Sequence, residues 1–67
     1  MEISARNQLK GTVTRVTPGA VQSEIVMDVG GQEVVAMISK GSAERLRLAP
    51  GDAVVAIVKA TDVMIGK

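Results

Sequence analysis

The stretch Ile38-Ser-Lys-Gly-Ser-Ala-Glu-Arg-Leu-Arg-Leu-Ala-Pro-Gly51 decides the fold, because the sequence on either side of it reads as extended chain. Ser42 can cap a short helix by accepting a hydrogen bond from a first-turn backbone N–H. Glu44 suits the positive start of that helix, and Arg45 and Arg47 lie towards its negative end. Leu46 and Leu48 supply its apolar contacts, and Pro50-Gly51 stops it. Just before the cap stand Ser39, Lys40 and Gly41, a hydroxyl, an ammonium and a residue free in its backbone angles. Such a cluster can present several donors to an anion at a helix start, or it can be an ordinary capped linker.

Working outward, the strand before this helix runs from Glu33 to Ser39, with Val34, Ala36 and Ile38 alternating with Val35 and Met37. Gly30-Gly31 is a hairpin turn that joins it to a strand over Val21–Val29. Thr17-Pro-Gly19 is a second turn, preceded by a long extended segment from Ile3 to Val16. There Leu9, Gly11 and Val13 keep one face and Val16 breaks the alternation, so a bulge between Gly11 and Val16 is expected. After the helix, Asp52–Ala60 is a fourth strand, apolar on both faces until Lys59. Thr61-Asp62 marks a break, and Val63-Met-Ile65 reads as a short fifth strand. Three strands, a helix and two strands give an all-β chain with one short helix. That is the order of an OB-fold-like, five-stranded Greek-key small barrel, with residues 1–67 as a single domain.

The chain has 67 residues, no cysteine and no histidine. Disulfides and zinc are therefore not available to stabilise a core this small. It is 46% hydrophobic without one aromatic side chain, so Val, Ile, Leu, Met and Ala must do all the packing. Two strands apolar on both faces need a cover on each side, and a homo-oligomer is expected. The opening Met1-Glu-Ile-Ser-Ala-Arg lacks the apolar core of a secretory signal, and no run approaches a membrane span. Cytoplasmic localisation without membrane association is the expectation.

An enzyme is hard to build from these residues. There is no histidine base and no cysteine nucleophile, the carboxylates lack a paired spacing, and nothing marks a Ser39–Lys59 catalytic pair. An OB-type nucleic-acid-binding or regulatory interaction module is the alternative. A net charge of +1 and the lack of aromatic residues for base stacking weigh against it. Three places concentrate donors without a carboxylate: Ser4 with Arg6, Ser39 with Ser42, and Lys59 with the Ala60 backbone. A small tetrahedral dianion asks for directed donors, one or two positive charges and no competing anion. Solvated surface charges and incidental serines are the competing explanation.

The opening SARNQLKG (residues 4–11), the 38–51 stretch and the closing KATDVMIG (residues 59–66) resemble the Mop domain of the molbindins, small molybdate-binding proteins. The resemblance covers essentially the whole chain. It implies an OB-like barrel assembled as a hexamer that holds molybdate or tungstate at subunit interfaces, for storage or homeostasis. Carried over by position, the oxyanion site comprises Ser4, Arg6, Ser39, Ser42, Ala43, Lys59 and Ala60, with Ala43 and Ala60 contributing backbone N–H groups. Ala5, Lys40 and Gly41 complete the set. Many family members have Thr where this chain has Ser39, which keeps the hydroxyl, and the Lys40-Gly41 pair varies more.

Overall fold

Residues 1–67 are described by a computed structural model. Its organising feature is one long strand, β1 (Asn7–Pro18), which is too long for any one neighbour. The first half, Asn7 to Thr12, pairs antiparallel with β4 (Ala53–Val58). The second half, Thr12 to Pro18, pairs antiparallel with β2 (Gln22–Val29). The register slips between Val13 and Arg15, inside the interval where broken alternation demands a bulge. Strand β3 (Gln32–Ser39) completes an open four-stranded sheet of order β3-β2-β1-β4. Gly30 and Gly31 link β2 to β3 with φ of 57° and 87°, the two left-handed positions of a tight hairpin turn.

The helix α1 spans Lys40–Arg45, six residues, and its ends differ from expectation. The cap is Ser39, whose Oγ accepts from the Ser42 N–H at 3.0 Å, so Ser42 lies within the first turn. Glu44 accordingly sits near the helix end, and no acidic residue occupies the first turn. The helix closes before Pro50 is reached. The Arg47 N–H donates to the Glu44 carbonyl, and the Leu48 N–H donates to the Ala43 carbonyl. Arg47 itself takes a left-handed φ of 52°. This is a Schellman closure with arginine where glycine is commonest. Pro50-Gly51 instead forms a turn between Ala49 and Asp52. The Asp52 carboxylate accepts from the Ala49 N–H at 2.9 Å there, and Gly51 donates to the Val13 carbonyl at 2.8 Å.

Helix and sheet meet around Val13, Ile25 and Ala43, with Val16, Ala36, Ile38, Leu48 and Val54 half-buried against them. That core is small. Only six of the 67 residues are buried, and Val35, Met37, Leu46, Val55 and Ile57 stay exposed. Surface scaling allows a compact protein of this mass about 4,000 Å² of accessible surface, whereas this chain exposes 5363 Å². Part of that surface is apolar. It lines an open cleft of about 400 Å³ between the edge strands β3 and β4, walled entirely by hydrophobic residues such as Val35, Ile38, Leu46, Val55 and Ile57.

The expected fifth strand is not formed within the chain. Ala60–Asp62 is a turn of 3-10 helix, and residues 63–67 have no regular structure. Met64 and Ile65 are nine-tenths exposed. The turn carries the chain off the sheet, and a strand needs a neighbouring edge to satisfy its backbone. The first strand likewise begins at Asn7 and not at Ile3, because β4 ends at Val58 and leaves nothing for earlier residues to pair with. No helix is long and apolar enough to cross a membrane.

Gly11 tests this arrangement. A methyl group there would fall against the Asp28 carbonyl and within 2.7 Å of the Met27 side chain. Gly11→Ala should destabilise the protein by about 2 kcal/mol or more, read as a lower urea midpoint.

Candidate functional site

The β1–β4 ladder ends with Asn7 opposite Val58. Arg6 and Lys59 are thus the residues that follow the last rung on each of the two strands, so both cations leave the sheet from the same end of the ladder. Ser4, in a bend, and half-buried Ala5 lead into Arg6. Beyond Lys59 the chain enters the 3-10 turn, in which the Asp62 N–H donates to the Lys59 carbonyl at 2.9 Å. The N–H groups of Ala60 and Thr61 open that turn, so the turn offers them no acceptor. The one ion pair in the structure is an exposed contact of 3.7 Å between Arg15 and Glu24, elsewhere on the sheet. Arg6 and Lys59 are both free of carboxylates.

The second donor group follows β3. Ser39 is level with Gln22 on the last rung of β2–β3, and the Lys40 N–H is held by the Val21 carbonyl at 2.9 Å. Proton counting then separates the two serines. Ser39 Oγ accepts from the Ser42 N–H and donates its single proton to Ser42 Oγ at 2.8 Å. The Ser42 hydroxyl proton is left without an acceptor among these groups. Of the first-turn N–H groups, Gly41 has no partner in the helix, whereas Ala43 is the first residue able to bond back to the cap carbonyl. Ala43 is also buried in the core. A shallow groove of about 210 Å³ beside the helix contains Lys40 and Arg47 but also Glu44. That carboxylate makes it a poor place for a dianion.

The two donor groups do not meet in one chain. Ser39 lies beyond the rung joining Pro18 to Ser23, and Arg6 lies beyond the rung at Asn7. They stand at opposite ends of a 12-residue strand. At about 3.3 Å per residue that strand reaches almost 40 Å before bending, and the molecule's longest dimension is 34 Å. Ser4, Ala5 and Arg6 therefore precede the ladder end that Lys59 and Ala60 follow, and Ser39, Lys40, Gly41, Ser42 and Ala43 lie together at the start of α1. No cluster of His, Cys, Asp or Glu is placed to hold a metal cation.

Two features were not read from the residues beforehand. The Ser39 cap had a signal in the Ser39-x-x-Ser42 spacing, since a cap side chain bonds to the third helical N–H. The left-handed Arg47 had none, because no glycine or asparagine marks it.

A TOBE domain model matches residues 3–65. Molybdenum-pterin-binding protein 3 of Clostridium pasteurianum is 48% identical, over 97% of this chain and 97% of that protein. The molybdate-binding protein of Sporomusa ovata superposes with a TM-score of 0.95 at 48% identity, covering both chains completely. The cytoplasmic molybdate-binding protein ModG, solved with molybdate bound, superposes with a TM-score of 0.86 at 48% identity. That match covers 90% of this chain and 43% of ModG.

Removing the cap hydroxyl in Ser39→Ala should cost about 1 kcal/mol in chemical denaturation. Ser42→Ala keeps the cap intact and should cost clearly less.

Proposed function

The chain belongs to the TOBE-domain family, among its small Mop-type (molbindin) members, and from that premise we propose that it binds molybdate as a free oxyanion. The observation that carries the reading is that Arg6 and Lys59, two cations without a carboxylate partner, both follow the last rung of the β1–β4 ladder. Like charges on neighbouring strands repel each other when nothing lies between them. A dianion reverses that cost and takes charge-assisted hydrogen bonds from both.

The remaining donors complete a tetrahedral shell. Ser4 and the Ala60 N–H go with the two cations, while the Ser42 hydroxyl and the Gly41 N–H form the other half; Ser39 holds Ser42 in place, and the Ala43 N–H, the first that can bond back to the cap carbonyl, is not counted among them. One chain holds these halves at opposite ends of β1, so a full shell takes the Arg6 end of one copy and the Ser39 end of another. Ala5 and Lys40 border the two halves. Tungstate, of similar size and charge, is accepted by the same donors.

Assembly follows from the same geometry. The cleft between β3 and β4 is open and apolar, and Val63–Ile65 is an exposed apolar segment with no strand partner in its own chain. A neighbouring copy supplying such a strand would close the OB-like Greek-key barrel and cover the excess apolar surface. The resulting homo-oligomer, a hexamer in this reading, stores or buffers the anion in the cytoplasm without catalysis. An anion that binds only the assembly also stabilises it by mass action.

Titration calorimetry with molybdate, with sulfate as control and the mass of the assembly measured on the same sample, tests this reading. Tight molybdate binding by an oligomer is expected, with thermal unfolding raised by several degrees at saturating anion. Arg6→Ala should weaken binding roughly tenfold to a hundredfold, the worth of one charge-assisted hydrogen bond. Unchanged affinity in that variant with the assembly intact would refute the site. Binding of single-stranded oligonucleotide that molybdate does not disturb would favour the nucleic-acid module.

A further inference from the structure

Residues 1–6 precede the first ladder rung, and none of the backbone hydrogen bonds in turns, loops and caps involves them. One side chain reaches back to this arm. The Gln8 side-chain amide donates to the Ala5 carbonyl at 2.8 Å, closing a turn across Ala5–Gln8 that has Arg6 inside it. A carbonyl oxygen can only accept, so the nearby group is the NH₂ of the amide. Gln8 is itself well anchored, since its backbone stands opposite Ile57 on β4. Its side chain thus ties the segment before the first rung to the sheet.

We propose that Gln8 is a positioning residue for oxyanion binding: by holding the Ala5 carbonyl it presets the backbone from Ser4 to Arg6, so that the Arg6 guanidinium and the Ser4 hydroxyl meet the anion already oriented. This role rests on the molybdate-binding reading above. Gln8 does not touch the anion. A segment ordered before binding loses less conformational freedom on binding, and the affinity rises accordingly. Arginine gains most from such presetting, because its donors form a rigid planar fork whose direction the backbone must set.

Gln8→Met removes the donor and keeps the side-chain length, and it leaves the backbone ladder to Ile57 untouched. In calorimetric titration with molybdate this variant should bind roughly fivefold more weakly than wild type. Its thermal unfolding and assembly mass without ligand should be unchanged, and ¹⁵N relaxation should show the Arg6 amide more mobile. The decisive comparison is an Arg6→Lys background, where the flexible ammonium depends less on backbone direction. There Gln8→Met should cost less than twofold, a coupling that a general loss of stability would not produce. Equal affinity of Gln8→Met and wild type, or strictly additive effects in the double variant, would overturn the role of Gln8 and leave the molybdate site standing. Failure of the wild type to bind molybdate would overturn both.

Discussion

Strand β1 shares its hydrogen bonds between two neighbours, and the rest of the structure depends on that division. Its first half serves β4 and its second half serves β2. The bulge between Val13 and Arg15 marks the hand-over and bends the strand, since an extra residue on one side of a ladder increases local twist. Curvature brings the edge strands β3 and β4 to opposite walls of one apolar cleft without joining them. Gly11, beside the hand-over, lets β1 approach Asp28 closely enough for both neighbours to remain paired.

The same division explains why the donors are distributed as they are. A long strand with partners at both ends has two ladder termini, where backbone pairing stops and the chain must turn. Turns expose N–H groups, so each terminus gathers donors. At one, Arg6 and Lys59 follow the last rung. At the other, Ser39 ends β3 and caps α1. In the proposed assembly these two features go together: the donors lie at both ends of β1, and the chain leaves apolar side chains such as Val35, Met37 and Ile57 exposed.

The candidate residues were named from residue type and spacing, and what those could not give has physical reasons. Arg6 and Lys59 could be named as free cations, but their place at the same ladder end depends on register, which a pattern of alternation sets only to within its period of two. Ser42 could be recognised as a donor near a helix start. Its standing as the hydroxyl with a free proton, with Ser39 as the cap, depends on where the helix begins, and competing caps three residues apart are equivalent in sequence. The Gln8 link to Ala5 left no mark at all, because glutamine in a strand is ordinary and its reach is decided by the bend before it.

Alternation of apolar residues, the Gly30-Gly31 turn and the break in period before Val16 determined four strands, a hairpin and a bulge, because strand faces and tight turns are local consequences of side-chain and backbone sterics. The SARNQLKG and KATDVMIG segments likewise determined the family resemblance. Only the tertiary structure decided that Val63–Ile65 has no strand partner in its own chain, that the helix closes through a left-handed Arg47, and that the donors fall into two separated halves. Each of these depends on which backbone edges lie beside one another in space. A strand, a helix end or a binding shell is completed by a neighbour, and the neighbour is set by the path of the whole chain.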